Sequence, residues 1–449
     1  MNQLPLEQAP ALDGQNTDII IHGGWVITMN QPVQALAEHS VLITGNQVQA
    51  VLPWEQAKNI PATTQIELPN HVLMPGLINS HGHAAMSLFR GMADDTPLDI
   101  WLNEHIWPAE GQWVSEEFVR DGAELAIAEM IRSGTTTFSD MYFFPNITAK
   151  VAQEAGIRAQ LSFPIMDFPS AWGSGAEDYI NKGMALRDEY KHSDTINVIF
   201  GPHAPYTVAT EALEKIATYA HELDCGIHIH TQETQAEVEQ SLATFGQRPL
   251  ERLNSIGLLG PKTQCVPLAA INEDDIQLLA DTKSHAIHCP RSNMKLASGF
   301  CPSQALIDAG VNLAIGTDGA ASNNGLDLFA ELNTAALLAK VVSKNAAAVP
   351  DSTALTMATV NGAKALDFKD CGTLNAGSAA DVIAIDLSAI EQQPIYDPIS
   401  HLAYTGVANH VSHSWINGKA VMADRELLTL DQSSIVKRTA EWRRKIKAA

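Results

Sequence analysis

Basic residues, paired cysteines and long apolar runs are all scarce in this chain. Its 28 lysines and arginines stand against 51 acidic residues, which gives a formal net charge of −23. Binding to a phosphate backbone needs clustered cations, so this balance argues against a nucleic-acid partner. The same excess of negative charge disfavours an anionic membrane surface. We therefore expect neither nucleic acid nor a membrane among the partners.

Signals for anchoring and export are missing as well. No apolar run approaches the roughly 20 residues of a membrane-spanning helix. The first residues lack the basic start and the apolar stretch of a secretory signal. The five cysteines are scattered without a C-x-x-C pair, which indicates reduced thiols. We expect a cytoplasmic protein.

With 449 residues and 45% hydrophobic content, the chain can bury a sizeable core and fits one large barrel plus a second module. Between roughly residues 75 and 372, apolar strands alternate with amphipathic stretches. The expected strand ends are Ser80-His81, Asp140, Pro164, His203, His230, Ala269, Pro290 and Asp318. This alternation is the signature of a (β/α)8 TIM barrel. A doubly wound sheet would instead place a Gly-rich turn after the first strand, where His81-Gly82-His83 stands.

Short strands with tight turns occur at both ends of the chain. The turns lie at Gly45-Asn46 and Asn417-Gly418, and such dipeptides are typical of hairpins. Residues 18–74 and 373–430 therefore predict one composite β-sandwich made from the two termini. A basic C-terminal helix over 431–449 is expected to pack outside it.

The strand ends of the barrel carry residues that bind metals. His81 and His83 are two positions apart, so their side chains point to one face about 7 Å apart along the strand. Such a pair alone is a weak signal, but His230 and Asp318 end later strands. Parallel barrel strands gather such groups on one rim. Three imidazoles and a carboxylate suffice for one hydrolytic zinc ion per subunit with an open position for water, although Fe²⁺ and Mn²⁺ accept the same ligands.

Two further residues suit proton transfer beside such a metal. Glu233 follows His230 by three positions and predicts a proton shuttle that is not itself a ligand; the alternative is a carboxylate that interacts with a helix dipole. Asp318 would bind the metal and also accept a proton from water, or else be a turn aspartate before Gly319. His228 lies deeper on the same strand face and is interpreted as a core or supporting residue.

His203 ends the fourth barrel strand, where two-metal hydrolases usually have a lysine that bridges the metals. Lysine is absent there, which favours one metal and leaves His203 as a substrate hydrogen-bond partner or a structural residue.

The motifs together resemble the amidohydrolase superfamily and, within it, the 5-methylthioadenosine/S-adenosylhomocysteine deaminase group. The segments that carry the resemblance are PGLINSHGHAAMSLFRG, SGTTTFSDMY, GPHAPYT, HIHTQET, HCPRSNMKLASG and IGTDGAASNN. The resemblance implies that Glu233 protonates a purine ring nitrogen. It also implies a set of four zinc ligands, namely His81, His83, His230 and Asp318.

The same resemblance implies residues that bind the sugar. Glu110 would bind the ribose hydroxyls with help from His203, and Trp101 would shape the pocket. Without the resemblance, Glu110 and Trp101 are equally well an exposed carboxylate and a half-buried aromatic residue.

One position departs from the family pattern. The family has another histidine at the end of the sixth strand, beside the attacking hydroxide, and Pro267 stands there in this chain. Loss of such an imidazole typically costs roughly 10²–10⁴ in rate. We therefore expect the metal site to survive, with turnover either weakened or dependent on another group.

These observations predict zinc-dependent hydrolytic deamination of an adenosine-type nucleoside, with release of ammonia. The candidate substrates are 5′-methylthioadenosine, S-adenosylhomocysteine and adenosine. No confident cation occurs over residues 162–175 to pair with a homocysteine carboxylate, which favours the first or the last. The alternatives are a triazine- or guanine-type amidohydrolase on the same scaffold and a catalytically weakened binder of zinc or nucleosides. Self-association is left open.

Overall fold

The computed structural model describes residues 17–448, which form two eight-stranded sheets and the helices around them. In chain order the strands are β1 (Thr17–Ile27), β2 (Ala35–Thr44), β3 (Gln47–Pro53), β4 (Ala62–Pro75), β5 (Leu77–Asn79), β6 (Thr135–Asp140), β7 (Arg158–Ile165), β8 (Ile196–Pro202), β9 (Ile227–Thr231), β10 (Thr263–Pro267), β11 (His285–His288), β12 (Asn312–Ile315), β13 (Val382–Asp386), β14 (Val411–Ile416), β15 (Lys419–Ala423) and β16 (Glu426–Leu427).

Strands β5 to β12 form the predicted (β/α)8 barrel. Each pairs in parallel with the next along the chain. Just beyond β5, the amide of Ser80 donates to the carbonyl of Ile315, the last residue of β12, at 2.9 Å, which nearly closes the ring. The expected strand ends lie within a few residues of the observed ones. Asp140 ends β6 as expected, whereas β12 ends at Ile315, shortly before Asp318.

Helices follow most of the barrel strands and pack against their outer face. The longer α-helices are Glu116–Arg132, Pro145–Ala155, Ala176–Tyr190, Thr210–Glu222, Gln235–Phe245, Glu273–Thr282, Leu328–Ser343 and Gln432–Ala448. The shorter ones are Trp54–Ala57, Leu98–Ile100, Trp107–Trp113, Pro249–Ser255, Pro290–Lys295, Ser303–Asp308, Ala320–Asn323, Asp351–Met357, Val360–Ala365 and Pro398–Tyr404. Single turns of 3₁₀ or π geometry occupy Ala84–Phe89, Trp101–Ile106, Ile390–Gln392 and Val407–His410. No helix within residues 17–448 is both long and apolar enough to cross a membrane.

Close packing between helices and strands depends on residue size. A Cβ atom on Gly183 would lie 2.1 Å from the ring of Phe163, so the helix Ala176–Tyr190 can approach β7 only because this position is glycine. Phe163 in turn packs against Phe200 of the neighbouring strand, with ring centroids 5.0 Å apart. This apolar layer outside the strands holds their carboxyl ends in a fixed arrangement.

The chain termini build the second sheet, as expected, and it is one continuous sheet in the order β16-β15-β14-β13-β4-β1-β2-β3. Only β1 and β4 pair in parallel; the other pairs are antiparallel. The two predicted turns meet in this sheet. A Cβ on Gly418 would lie 2.0 Å from the carbonyl oxygen of Gly45. The domain boundaries near residues 75 and 372 stay a prediction.

The C-terminal helix Gln432–Ala448 packs against the barrel helix Glu116–Arg132, not on the terminal sheet as expected. Trp442 is buried there, and its indole nitrogen donates to Asp121 at 2.8 Å. Arg438 also pairs with Asp121, at 2.7 Å. Burial of the tryptophan ring and pairing of the buried carboxylate explain the position of this helix.

Candidate active site at the carboxyl end of the barrel

Three imidazoles converge at the carboxyl end of the barrel. His81 and His83 follow β5, and His230 lies in β9; one ring nitrogen of each lies within 4.8 Å of those of the other two. Asp318 follows β12 and brings its Oδ1 to 3.5 Å from Nε2 of His81 and 3.3 Å from Nε2 of His83. The four predicted ligands are therefore brought together at one point.

The orientation of two of these rings is fixed by main-chain carbonyl groups. Nδ1 of His83 lies 2.6 Å from the carbonyl oxygen of Met141, and Nδ1 of His230 lies 2.9 Å from that of His203. A carbonyl oxygen only accepts, so each Nδ1 carries the proton and donates it. The Nε2 atoms therefore face the common point, which is the arrangement a metal ligand needs.

The third ring, that of His81, is held by another histidine. Its Nδ1 lies 2.9 Å from Nε2 of His228. Behind it, Nδ1 of His228 lies 3.4 Å from the hydroxyl of Ser139, which donates to Gln160 at 3.3 Å. The amide of Gln160 donates to the carbonyl of Leu366 at 3.0 Å. This chain of hydrogen bonds extends from the point where the predicted ligands converge into the interior of the barrel. His228 therefore supports the ring of His81.

Asp318 is held as firmly as the imidazoles. Its Oδ1 accepts from the amide of Gly319 at 2.7 Å, and its Oδ2 accepts from the hydroxyls of Ser292 at 2.6 Å and Ser322 at 2.8 Å. Burial raises the pKa of the Asp318 carboxyl, but hydrogen bonds to the two histidines after β5 outweigh it and hold that pKa well below its usual range. Asp318 is therefore ionised at neutral pH.

The donor set fits a divalent metal. Burial lowers the pKa of His81 and, more strongly, that of His230, so both rings are neutral and offer lone pairs, the form that binds metals. Against the effect of burial, the hydrogen bond to Asp318 raises the pKa of His83 to about 9, so this ring carries a proton that a metal ion would displace. Three nitrogens and one oxygen are ligands that zinc accepts.

Glu233 lies beside this centre in the loop after β9. Both oxygens of Glu237 hold the loop: they accept from the amides of Gln232 and Glu233, each at 2.9 Å. The hydroxyl of Thr234 caps the following helix, so Glu233 is not needed for that role. Burial, followed by the charges of Asp318 and Glu237, raises the pKa of Glu233 to about 8. Its carboxyl group therefore carries a proton at neutral pH in this arrangement.

A cavity of about 370 Å³ opens above the four predicted ligands, and Glu110, His203 and Trp101 line it together with Glu233. Burial raises the pKa of Glu110 to about 7, against the opposing effect of the Tyr142 hydroxyl. Burial lowers the pKa of His203 to about 4, so this ring is neutral. The structure thus brings every predicted site residue to one cavity.

His203 has one ring nitrogen available to a ligand. Its Nδ1 lies 3.0 Å from the hydroxyl of Thr207, which leaves Nε2 for the cavity. Tyr142, which also lines the cavity, was missed by sequence reasoning. It stands two residues after the end of β6, so the rule that barrel sites lie past strand ends could have found it.

The end of β10 differs chemically from the other strand ends. Val266 and Pro267 line the cavity there, and neither side chain can donate or accept a hydrogen bond. The departure seen in the sequence is therefore located inside the site, facing the space above the ligands.

The site and fold agree with comparisons to known proteins. The sequence model of the Amidohydrolase family matches residues 72–421, and the chain belongs to that family. A 5-methylthioadenosine/S-adenosylhomocysteine deaminase of Saccharophagus degradans is 52% identical over 434 residues, which cover 96% of this chain and 97% of the relative. A 5′-deoxyadenosine deaminase of Methanococcoides burtonii is 40% identical over 422 residues, 93% of this chain and 95% of the relative.

Among solved structures, an adenosine deaminase from Xanthomonas campestris with bound zinc superposes with a TM-score of 0.96. It is 42% identical in sequence, and the match covers 97% of this chain and all of that one, 100%. Similarity at this level extends over the barrel and the terminal sheet together.

Proposed function

We propose that this protein is a zinc-dependent hydrolase that deaminates an adenosine-type nucleoside to its inosine counterpart and releases ammonia. The observation that carries the proposal is the convergence of three hydrogen-bonded imidazoles and Asp318 beside a protonated Glu233. The proposed ligands of one zinc ion per subunit are His81, His83, His230 and Asp318. When bound, zinc lowers the pKa of a water molecule toward neutrality and so supplies the nucleophile.

Two carboxyl groups would move the protons of the reaction. Glu233, protonated at neutral pH, donates to the purine ring nitrogen next to the amino-bearing carbon, which makes that carbon more electrophilic. Asp318, ionised at the same pH, accepts the proton that is released as water adds to the carbon and passes it to the amino group. The C–N bond then breaks, ammonia leaves, and Glu233 recovers a proton from the added hydroxyl group as the carbonyl forms. The opposite pKa shifts of these two neighbours support this division of roles.

The upper part of the cavity suits a ribose. Glu110 and Nε2 of His203 are hydrogen-bond acceptors and would take the protons of the two vicinal hydroxyls, while Trp101 closes the wall beside them. Triazines and guanine have no hydroxyl pair, so these acceptors favour a nucleoside over the other substrates that the scaffold accommodates.

The direct test uses zinc-loaded protein with 5′-methylthioadenosine and follows ammonia release together with the metal content per chain. We expect ammonia and the inosine analogue in equal amounts, with one zinc ion per subunit. Iron or manganese in its place would change the metal assignment alone. Absence of ammonia with every adenosine derivative would remove the proposed activity.

Pro267 supports a second candidate, a binder of zinc and nucleosides whose turnover is weakened. Pro267→His restores a group that can polarise the nucleophile, and we expect turnover to rise by roughly 10². Pro267→Ala is the matched control, because it removes the ring without adding a donor. An unchanged rate in the histidine variant shows that this position does not limit turnover.

We also place the protein in the cytoplasm, with a small purine nucleoside as its partner. All five cysteines are buried and carry free thiols, which suits a reducing compartment. Fractionation followed by immunodetection tests this location.

A further inference from the structure

The relatives described above are named for substrates that differ at the 5′ carbon of the ribose, and the charges in the cavity distinguish among those substrates. We propose that this site selects nucleosides with an uncharged 5′ substituent and rejects the zwitterionic amino-acid tail of S-adenosylhomocysteine. The inference rests on the proposed function, since it concerns how the same cavity receives its substrate.

Histidines aside, the charges around the cavity are of one sign. Its acidic lining residues are Glu110, Glu233 and Asp318, and its other titratable side chains are histidines and tyrosines, apart from one thiol. Over the part of the chain that the structure describes, no lysine or arginine lines the cavity. A carboxylate brought there loses water and gains no cation in return, and such burial is costly.

The open side of the cavity, its mouth, lies at the loop after β7, where the lining residue Phe168 is 41% exposed. With the base at Glu233 and the ribose hydroxyls at Glu110 and His203, the 5′ carbon would point toward this mouth. Trp107 lies three positions before Glu110 on the same helix, so the wall beside the ribose continues to this indole. Phe168 faces it from the loop after β7, with ring centroids 6.3 Å apart.

Apart from the hydroxyl of Ser170, the rest of the mouth is apolar too. Its lining is completed by aliphatic and small residues on the same two segments, namely Leu98, Leu102, Pro169 and Ala171. An apolar mouth gains free energy when it covers a methyl or thioether group, by roughly 25 cal/mol for each Å² of apolar surface removed from water. It offers no such gain to an ammonium or a carboxylate.

The cations next to the cavity are already paired. Lys295, which precedes the lining residue Leu296, contacts Asp94 at 2.6 Å. Lys182, on the helix after the mouth loop, contacts Asp178 at 2.8 Å. Lys182 also donates to the carbonyl oxygen of Trp172 at 2.7 Å. Neither ammonium group lines the cavity, so neither replaces the missing cation.

The test compares kcat/KM of the zinc-loaded protein for 5′-methylthioadenosine, for S-adenosylhomocysteine and for 5′-butylthioadenosine, whose tail is long but uncharged. We expect the two uncharged thioethers to agree within roughly tenfold and S-adenosylhomocysteine to be lower by roughly 10² or more. Comparable values for S-adenosylhomocysteine and 5′-methylthioadenosine overturn the inference. Rejection of 5′-butylthioadenosine as strongly as S-adenosylhomocysteine also overturns it, because tail length would then decide.

A variant sharpens the same test. Ala171 is exposed at the mouth, so Ala171→Arg adds a cation without filling the core, and Ala171→Gln is the matched uncharged control. We expect the arginine alone to raise the ratio of kcat/KM for S-adenosylhomocysteine over 5′-methylthioadenosine by roughly tenfold. An equal ratio in both variants counts against the charge argument. No ammonia from any of the nucleosides would contradict the proposed function itself, which is a different result from loss of selectivity.

Discussion

The barrel buries a polar cluster at each end, and the two clusters differ in how their hydrogen bonds are satisfied. At the amino end, Arg158 and Asp381 join the start of β7 to the terminal sheet, and both are almost fully buried. At the carboxyl end, ring nitrogens of the imidazoles and an oxygen of Asp318 converge on one point. A cluster whose polar atoms are all paired with one another stabilises the fold, whereas a cluster of converging acceptor atoms can bind a cation.

The amino-end cluster has a partner for each polar atom of its guanidinium and carboxylate. Arg158 contacts Asp381 at 2.7 Å, the carbonyl of Asp194 at 2.8 Å and the side chain of Asn417 at 2.9 Å. The amide of Asn417 donates to Asp381 at 2.7 Å. No atom of this set is left for a ligand, so we assign it to stability.

The largest expected effect tests the carboxyl end. Glu233→Gln removes the proton donor but keeps the shape, so we expect kcat to fall by roughly 10³–10⁴, because the ring nitrogen is no longer protonated. Steady-state ammonia release measures the change.

Zinc content is the control for this variant, since Glu233 is not assigned as a ligand. We expect it to stay at the wild-type level. Loss of the metal together with activity would make Glu233 part of the metal centre and would overturn its assigned role.

The second prediction concerns the amino end. Arg158→Met leaves Asp381 buried without its cation, and removal of one partner of a buried ion pair costs about 3–5 kcal/mol. Urea unfolding of the zinc-loaded protein should show this loss, while kcat of the folded enzyme stays at the wild-type value. Lys182→Met removes an exposed pair instead and should change the free energy of unfolding far less. If kcat of Arg158→Met fell as far as that of Glu233→Gln, the two ends would not differ in function as proposed.

The third prediction concerns His228, which connects the ligands to the barrel interior. His228→Leu deprives Nδ1 of His81 of its acceptor, and loss of such a partner typically lowers metal affinity by roughly 10–100-fold. Competition with a chelator measures the zinc dissociation constant. His228→Asn, which keeps a polar side chain, should lose less.

His288→Leu is the matched control for that experiment. His288 is fully buried at the end of β11, which is separated from β9 by β10, and its nitrogens have no hydrogen-bond partner among the described residues. Equal loss of zinc affinity in the two leucine variants would mean that buried imidazoles matter only for packing.

The sequence predicted the barrel and the carboxyl-end site because both depend on local rules. Alternation of strands and helices predicts which residues end strands, and strand ends of a parallel barrel meet at one rim. This rule was enough to predict His81, His230 and Asp318 as site residues. Glu110 and Trp101 lie on short helices between strands, where periodicity is uninformative, and only the family resemblance indicated them.

Contacts between distant segments could not be predicted in the same way. Arg158 and Asp381 are 223 residues apart in the chain, and no sequence spacing marks them as a pair. The support of His81 by His228 depends on the register between strands. The position of the C-terminal helix depends on the burial of Trp442 against Asp121, which composition does not reveal.

The smallest expected effect is a pH dependence of kcat/KM that arises from ionisation of Glu110, the proposed acceptor for a ribose hydroxyl. Its pKa, raised to about 7 by burial, means that the carboxyl is ionised above and protonated below that pH. The ionised form accepts a ribose hydroxyl, so kcat/KM should fall as the pH drops through about 7, by up to roughly tenfold for each unit. Glu110→Gln has no such titration and should flatten this acid limb at a lower plateau. If the limb persists unchanged in the glutamine variant, another group titrates there, and the ribose contact proposed for Glu110 loses its support.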